Sequence, residues 1–416
     1  MADFPCASEA SPVDCRLSTA CEACSLPKCP QGASAGVERT ALPGCRASSP
    51  AFLPPPLASA SPVDCRLSTA DCSRSEHPSP LGVAFSGGVD SAVCVRLLQR
   101  QGYAVEAWHM LTCSAEPAPG VVELAAALDV PLHLLDVREA FEREVVAPFF
   151  DAYAAGQTPN PCAWCNPRLK FGLLQRAIGG PMATGHYVAL DREPLSGRLT
   201  LRCATDAAKD QSYFLYALPP DLLPLLRFPL AGMTRAQVVA LARDWRLPIP
   251  EAKLAAGSQD ICFLPNGDYR PELRRRHPKT ASPGPILDPA GRRLGTHTGL
   301  ANYTRGQRKG LGIATGARAF VVALDRAANT LTLGPREALL KSAFAVRDPH
   351  WLIPPTFPLS CQAVTRYHHP PFNCTLTEDL TVLPDSPQAL LTPGQACVFY
   401  RGPYLLGGAT IAEESR

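Results

Sequence analysis

Six residues, Ser86-Gly87-Gly88-Val89-Asp90-Ser91, constrain this chain more than any others. A short apolar run, Leu81 to Phe85, leads into them, and Ala92-Val93-Cys94-Val95-Arg96-Leu97-Leu98 follows. That order reads as a buried strand, a glycine turn and a helix, with Asp90 and Ser91 in the first helical turn. Glycine lets the backbone turn tightly and approach a ligand closely. The free N–H groups of a helix N-terminus, with the hydroxyls of Ser86 and Ser91 beside them, make a cradle for phosphate. The Walker arrangement is excluded, because no Gly-Lys-Ser/Thr closes the loop.

Ser-Gly-Gly-Val-Asp-Ser after a strand resembles the PP-loop of the ATP-pyrophosphatase superfamily. The resemblance implies cleavage of ATP between its α and β phosphates and adenylation of a substrate. A lone Gly-Gly would read as an ordinary strand–turn–helix corner, whereas the full hexapeptide in this setting is a sharper signal. It leaves the acceptor unnamed.

With 416 residues and 46% hydrophobic content, the chain has apolar material for one large core or a few smaller ones. No apolar run is long enough for a transmembrane helix. The start, Met1-Ala2-Asp3-Phe4-Pro5, has neither the basic nor the apolar region of a signal peptide. A cytoplasmic protein with no membrane partner is the expectation. The formal charge of +3 says little, but between Asp268 and Arg318 eleven Lys/Arg stand against three Asp/Glu, a local excess that suits a polyanion. Of the seventeen cysteines, eight precede residue 81 and nine follow it. In a reducing compartment a disulfide scaffold is not expected, so the cysteines of interest are those with ligand or redox spacing.

Residues 1–80 read as a disordered extension. Twelve of the 44 prolines sit there among many Ser and Ala, with no sustained periodicity. Ala10 to Ala20 recurs unchanged as Ala60 to Ala70, but one repeated segment is not a solenoid. Cys21, Cys24 and Cys29 lack the second pair that would complete a zinc site.

From Leu81 strand and helix signals alternate: strands at 81–85, 104–110 and 132–137, helices at 91–101, 121–128 and 139–154. This is the pattern of an open parallel sheet, which binds ligands beyond the carboxyl ends of its strands. Met110 ends the second strand, where its backbone would meet an adenine; a core methionine is the plainer reading. Next comes Thr158-Pro159-Asn160-Pro161-Cys162-Ala163-Trp164-Cys165-Asn166. The prolines favour an extended approach, and Cys162 and Cys165 form a Cys-x-x-Cys that opens a helix. Thiols near a helix N-terminus, with Arg168 and Lys170 close by in sequence, are expected to have lowered pKa values and to be reactive. Met182 to Tyr187 reads as a strand end with Gly185. After a short hairpin, Lys209 and Gln211 are candidates for holding a phosphate and a base edge. An amphipathic helix is expected over 237–246. Cys262, within Ser258 to Leu264, reads by itself as a core thiol.

Beyond residue 265 short strands and turns take over. Tyr303-Thr304-Arg305-Gly306-Gln307-Arg308-Lys309-Gly310 is a candidate nucleic-acid loop. From 346 onward, proline-bounded strands at 361–365, 374–376 and 396–400 suggest a small β-barrel. The expected class is α/β: an open parallel-sheet domain over 81–264, a small middle domain over 265–345 and a C-terminal β-barrel over 346–416.

Taken in order, SGGVDS, TPNPCAWCN, ATGHY, KDQSYFLY, SQDICF, YTRGQRKGLGI and TPGQACVFY resemble the tRNA-specific 2-thiouridylase family. The resemblance runs from about residue 81 to 412. It implies ATP on Ala84, Phe85, Ser86, Gly87, Gly88, Val89, Asp90 and Ser91, with Met110 and Gly185 at the adenosine. It implies adenylation of the wobble uridine at its C2 oxygen, sulfur carried as a persulfide on Cys262, and Cys165 as the partner thiol. It puts Asn160, Pro161 and Cys162, Lys209, Asp210 and Gln211, and Arg366 and Tyr367 at the tRNA. A sulfur-donor protein, either a cysteine desulfurase or a sulfur carrier, is the second implied partner. Mg²⁺ accompanies ATP in this reading, with Asp90 the candidate ligand.

Many members of that family have Asp-x-x-Cys where this chain has Cys162-x-x-Cys165. Cys162, Cys165 and Cys262 are also the ligand number for an iron–sulfur cluster with one open iron, so a cluster-dependent transfer stands beside the persulfide relay. Two other readings keep less of the resemblance: a PP-loop enzyme with another acceptor, as in lysidine synthesis, and a non-catalytic protein that binds tRNA or a sulfur carrier.

Overall fold

Five parallel strands form the sheet that carries the Ser86–Ser91 loop: β1 (Leu81–Ala84), β2 (Val105–Leu111), β3 (Leu132–Asp136), β4 (Met182–Thr184) and, after the hairpin β5 (Ala189–Arg192) and β6 (Leu199–Arg202), β7 (Leu226–Arg227). Their order is β3-β2-β1-β4-β7. The computed structural model describes residues 80–255, 261–264, 267–313, 318–389 and 391–413. The expected disordered extension, its repeated segment and its three spaced cysteines lie outside the described residues, except Pro80.

Burial explains the strands. Leu81, Gly82 and Val83 of β1, which alternate between the two faces, are all shut off from solvent, as befits a strand covered on both faces. Helix α1 (Val89–Arg100) lays Val89, Ala92, Val93, Val95 and Leu98 against the sheet and turns Arg96 and Arg100 outward. Chain order moves from β1 through β2 to β3, then crosses to β4 on the other side of β1. That reversal opens a crevice at the carboxyl ends of β1 and β4, where such sheets bind ligands. The helix expected at 237–246 runs over Arg235–Asp244 instead. Thr234 accepts from the Gln237 N–H while the Gln237 side chain accepts from the Thr234 N–H, and this reciprocal cap starts the helix two residues earlier.

Four strands, β8 (Gly284–Leu287), β9 (Arg293–His297), β10 (Phe320–Asp325) and β11 (Thr330–Gly334), make a separate sheet around Ile286, Val321, Leu331 and Leu333. The remainder is β12 (Phe344–Trp351), β13 (Leu359–Val364), β14 (Phe372–Leu376), β15 (Thr381–Pro384), β16 (Ala396–Arg401) and β17 (Tyr404–Ile411). Pairing of β12 with both β15 and β17 closes these six into an antiparallel barrel, which removes the exposed edges. The α/β class and the C-terminal barrel are both as expected.

Sequence patterning did not indicate how the barrel attaches. The β5–β6 hairpin reaches it through the Tyr404–Arg202 pairing. The Thr200 hydroxyl donates to the Leu405 carbonyl at 2.5 Å, and Arg401 pairs with Glu193 at 3.3 Å. One apolar cluster then runs from Met182, Leu201 and Leu215 to Val398, Tyr400 and Leu405.

Candidate active site

The loop after β1 is shaped by sterics. Gly87 has φ +75°, and a Cβ there would lie 2.5 Å from Cγ2 of Val121, so only glycine fits without rearrangement. Gly88 precedes the helix with extended dihedrals and no side-chain cap, which leaves the first-turn N–H groups available to an anion. The Ser91 hydroxyl donates to the Gly88 carbonyl at 2.9 Å, and Ser86 Oγ lies 3.3 Å from Ser91 Oγ. Gly185, just beyond β4, presses on the same helix start: a Cβ would sit 2.8 Å from the Asp90 carbonyl carbon and 3.0 Å from the Ser91 nitrogen. The loop, Gly185 and Met110 therefore share the carboxyl ends of adjacent strands.

Asp90 is already engaged. Its Oδ1 accepts from the Tyr187 hydroxyl at 2.8 Å and from the Arg235 guanidinium. Burial, then Asp90 itself, push the Tyr187 hydroxyl well up, so it remains a donor. Arg235 also donates its backbone N–H to Asp206 at 2.9 Å. The carboxylate expected at a Mg²⁺ ion thus ties α1 to the segment after β4 and to the first residue of the capped helix. Tyr187 and Arg235 were not legible as site residues, since neither lies in a motif that points at Asp90.

The Cys-x-x-Cys opens the short helix Pro161–Cys165, whose N-cap, Asn160, accepts from the Ala163 N–H at 3.4 Å. A π-helical stretch, Asn166–Leu174, follows directly. Trp164 and Cys165 pack in an apolar cluster with Met110, Leu169, Ile261, Phe263 and Leu264. The Phe263 ring meets the edge of Phe149 at 5.1 Å. Ile261 and Phe263 are thereby anchored while Cys262 between them is exposed, which corrects the reading of a core thiol. Cys165 is half-buried and Cys162 exposed.

The expectation of lowered thiol pKa values is reversed. Loss of solvation raises Cys162 and Cys165 above the ordinary thiol value, and Lys170 offsets only part of this. Cys262 is pushed up to about 12 by desolvation, then by the neighbouring Cys165, Cys162 and Cys113, with Lys170 opposing. Although Cys262 is exposed as a residue, surrounding protein takes enough water from its sulfur to disfavour the anion. Arg168, counted on in the sequence, instead donates to the Glu144 carbonyl at 3.1 Å and pairs with its carboxylate at 3.6 Å. Cys113, in the segment after β2, is a fourth thiol of this neighbourhood; a lone cysteine two residues past a strand gave no signal. Among the described residues, no group of three or more His, Cys, Asp or Glu side chains is placed to hold a metal ion. Among the described residues, then, the thiols are not arranged as a set of cluster ligands, and Asp90 belongs to no group of three such side chains.

The residues expected at tRNA divide. Asp210 accepts from the Ala204 N–H at 2.8 Å and from the Ser212 hydroxyl at 2.6 Å. Gln211 Oε1 accepts from the Tyr187 N–H at 3.0 Å. These two brace the loop, in which Lys209 is half-buried with its backbone N–H donating to the Asp206 carbonyl at 3.0 Å. Tyr367 lies with its ring 4.5 Å from that of Phe214, whose carbonyl accepts from Asn166 at 3.0 Å. The barrel's Arg366–Tyr367 turn thus comes beside the helix that follows Asn160 and Pro161. Among the described residues, no helix is long and apolar enough to cross a membrane.

A parallel sheet with a Ser-Gly-Gly-Val-Asp-Ser loop at its crevice, joined to a C-terminal barrel, defines an ATP-using enzyme of the PP-loop class. Residues 80–266 match the family described as "tRNA methyl transferase HUP domain", 273–335 its "PRC-barrel domain" and 341–411 the "Aminomethyltransferase beta-barrel domain". The chain is 41% identical over 357 residues to the tRNA-specific 2-thiouridylase MnmA of Chloroflexus aggregans, covering 79% of this chain and 97% of that protein. It is 39% identical to the protein of the same name from Magnetococcus marinus, covering 80% of this chain and 99% of that one. The chain belongs to the tRNA-specific 2-thiouridylase family. Among solved structures, the NMN synthetase of Francisella tularensis overlays on 44% of this chain and 70% of its own at 15% identity and a TM-score of 0.27, a likeness too slight to carry an argument.

Proposed function

We propose that this enzyme uses ATP to convert the wobble uridine of tRNA to 2-thiouridine, with residues 81–264 as the catalytic domain, 265–345 as a middle domain and 346–416 as the tRNA-binding barrel. The observation that carries the reading is the packing of Cys165 in one cluster with Ile261 and Phe263, which flank the exposed Cys262, in a chain of which thiouridylases cover 79–80%.

ATP lies on Ala84 to Ser91, with Met110 and Gly185 beside the adenosine. The uridine C2 oxygen attacks the α-phosphate, pyrophosphate leaves, and the oxygen becomes part of an AMP leaving group. The first-turn N–H groups of α1, with Lys209, stabilise the charge that develops on the phosphate. A sulfur-donor protein, desulfurase or carrier, has by then loaded Cys262 as a persulfide. Its terminal sulfur attacks C2, forming a carbon–sulfur bond and releasing AMP with the oxygen. Cys165, giving its proton to solvent, attacks Sγ of Cys262. The bond from that sulfur to the transferred one breaks, 2-thiouridine leaves, and a Cys165–Cys262 disulfide remains. A thiol reductant supplies two electrons and two protons to restore both cysteines. A persulfide is a stronger acid than its parent thiol, so the high pKa of unloaded Cys262 protects the empty site rather than blocking the loaded one. Arg366, Tyr367 and the exposed Cys162 face the RNA in this reading, and the buried Asn160 and Pro161 support the loop behind them.

The test is thiolation of unmodified tRNA with ATP and a persulfide donor, read as 2-thiouridine in digested nucleosides. One AMP and one pyrophosphate are expected per thiouridine. Loss of product is expected in Cys165→Ser and Cys262→Ser, and its retention in Cys162→Ser. Absence of thiouridine with the wild-type chain overturns the proposal, and loss of product together with bound iron in Cys162→Ser would replace the relay with a cluster.

A further inference from the structure

The nucleotide loop carries a negative charge where an anion is to bind. Asp90 is the second residue of α1. Ala92 donates to the Gly88 carbonyl at 3.1 Å, so helical bonding starts there and the N–H groups of Val89, Asp90 and Ser91 lie ahead of it. Those groups favour an anion, yet the carboxylate among them has the same sign as a polyphosphate. In an empty helix a first-turn carboxylate stabilises the N-terminus. Once phosphate is the ligand, the same carboxylate opposes it.

The fold sets a cation on this carboxylate. Oδ1 of Asp90 accepts from the Tyr187 hydroxyl at 2.8 Å, a neutral donor, and from the guanidinium of Arg235. Arg235 is the first residue of the helix Arg235–Asp244. A positive charge is unfavourable there, because the macrodipole is positive at the same end. Its own helix therefore does not account for the arginine, and the pairing with Asp90 does. Three further features fix its place. Its backbone N–H donates to Asp206 at 2.9 Å, its guanidinium donates to the Leu254 carbonyl at 3.4 Å, and the reciprocal cap of Thr234 and Gln237 sets the start of its helix. The Arg235 side chain is 16% exposed against 38% for Asp90. The cation is thus the sheltered partner, little screened by solvent, and the carboxylate is the one that a ligand reaches.

We propose that Arg235 is a positioning residue for ATP: it cancels the charge of Asp90, so that the start of α1 receives the triphosphate unopposed. This rests on the reading that ATP occupies Ala84 to Ser91, and it is independent of the acceptor and of the cysteines. Arg235 acts through Asp90 and not by touching phosphate.

The experiment measures binding of ATP and of adenosine to the full chain by calorimetry in EDTA, so that no divalent cation bridges Asp90 and the nucleotide. Arg235→Met is expected to weaken ATP about tenfold, the cost of a like charge left at the site, and to leave adenosine unchanged. A merely loosened helix start would weaken both. Arg235→Lys keeps ATP near its wild-type affinity. Asp90→Asn combined with Arg235→Met removes both charges and returns ATP binding towards wild type. Arg235→Gln replaces the methionine if that variant does not fold, as judged by thermal unfolding. Unchanged ATP affinity in a folded neutral variant at position 235 overturns the proposal, and so does equal loss of ATP and adenosine. A double variant as weak as the single one also overturns it, and puts Arg235 on the phosphate itself. A wild-type chain that shows the expected affinities but makes no thiouridine sinks the thiolation reading and leaves the role of Arg235 standing.

Discussion

The side-chain amide of Gln395 donates to the carbonyl oxygen of Thr158 at 2.7 Å, across 237 residues of sequence. The Thr158 N–H answers by donating to the Pro393 carbonyl at 2.9 Å, so the barrel grips the segment that delivers Asn160, Pro161 and Cys162. Gln395→Ala removes the side-chain half of this grip. The expected cost is about 1 kcal/mol, read as faster amide exchange over 158–165. Thiolation is expected to fall roughly fivefold with ATP affinity unchanged.

Gly185→Ala is expected to act on the other half of the reaction. The added methyl would meet backbone atoms of Asp90 and Ser91 at 2.8 to 3.0 Å, and a helix start cannot give way as a side chain can. Overpacking of this kind costs about 1–3 kcal/mol. The measurement is ATP binding by calorimetry, which weakens at least tenfold, while alkylation of Cys262 stays at its wild-type rate.

Tyr187→Phe leaves Asp90 with Arg235 but without its hydroxyl donor. One hydrogen bond to a charged group is worth about 1.5–3 kcal/mol, and denaturant unfolding should record a loss in that range. Unchanged stability would mean that Tyr187 does not help hold the start of α1.

The pH dependence of stability follows from His186. Burial, then Lys170, hold its pKa well below the ordinary 6.5. Below 6.5 the unfolded chain therefore binds a proton that the folded chain refuses. Unfolding free energy rises with pH through that window, is complete above 6.5, and is lost as the pH falls towards the folded value. The slope reaches at most about 1.4 kcal/mol per pH unit. His186→Gln is expected to flatten this limb of the stability profile, and an identical slope in the variant would assign the effect elsewhere.

Features that are local in sequence were legible in it. The run from Leu81 to Phe85, the glycines and the apolar face of α1 specify a strand, a turn and a helix from neighbours alone. The strand signal at 396–400 was likewise readable from its bounding prolines, and the strand runs over Ala396–Arg401. Even so, the reading of Cys162 and Cys165 as acidic thiols failed. Proximity in sequence to Arg168 and Lys170 says nothing about how much water remains at sulfur, and Arg168 turned to Glu144 instead.

By itself the sequence determined that this chain has an ATP-binding loop at a strand–helix corner, a Cys-x-x-Cys opening a helix, a third cysteine between two apolar residues, and a β-rich end. Short-range sterics and periodicity carry that information, because they depend on residues a few positions apart. Only the tertiary structure decided that Asp90 is held by Tyr187 and Arg235, that Gln395 grips Thr158, and that Lys170 meets His186. Each joins groups brought together only by folding, and burial then sets their charge, since desolvation depends on everything packed around an atom.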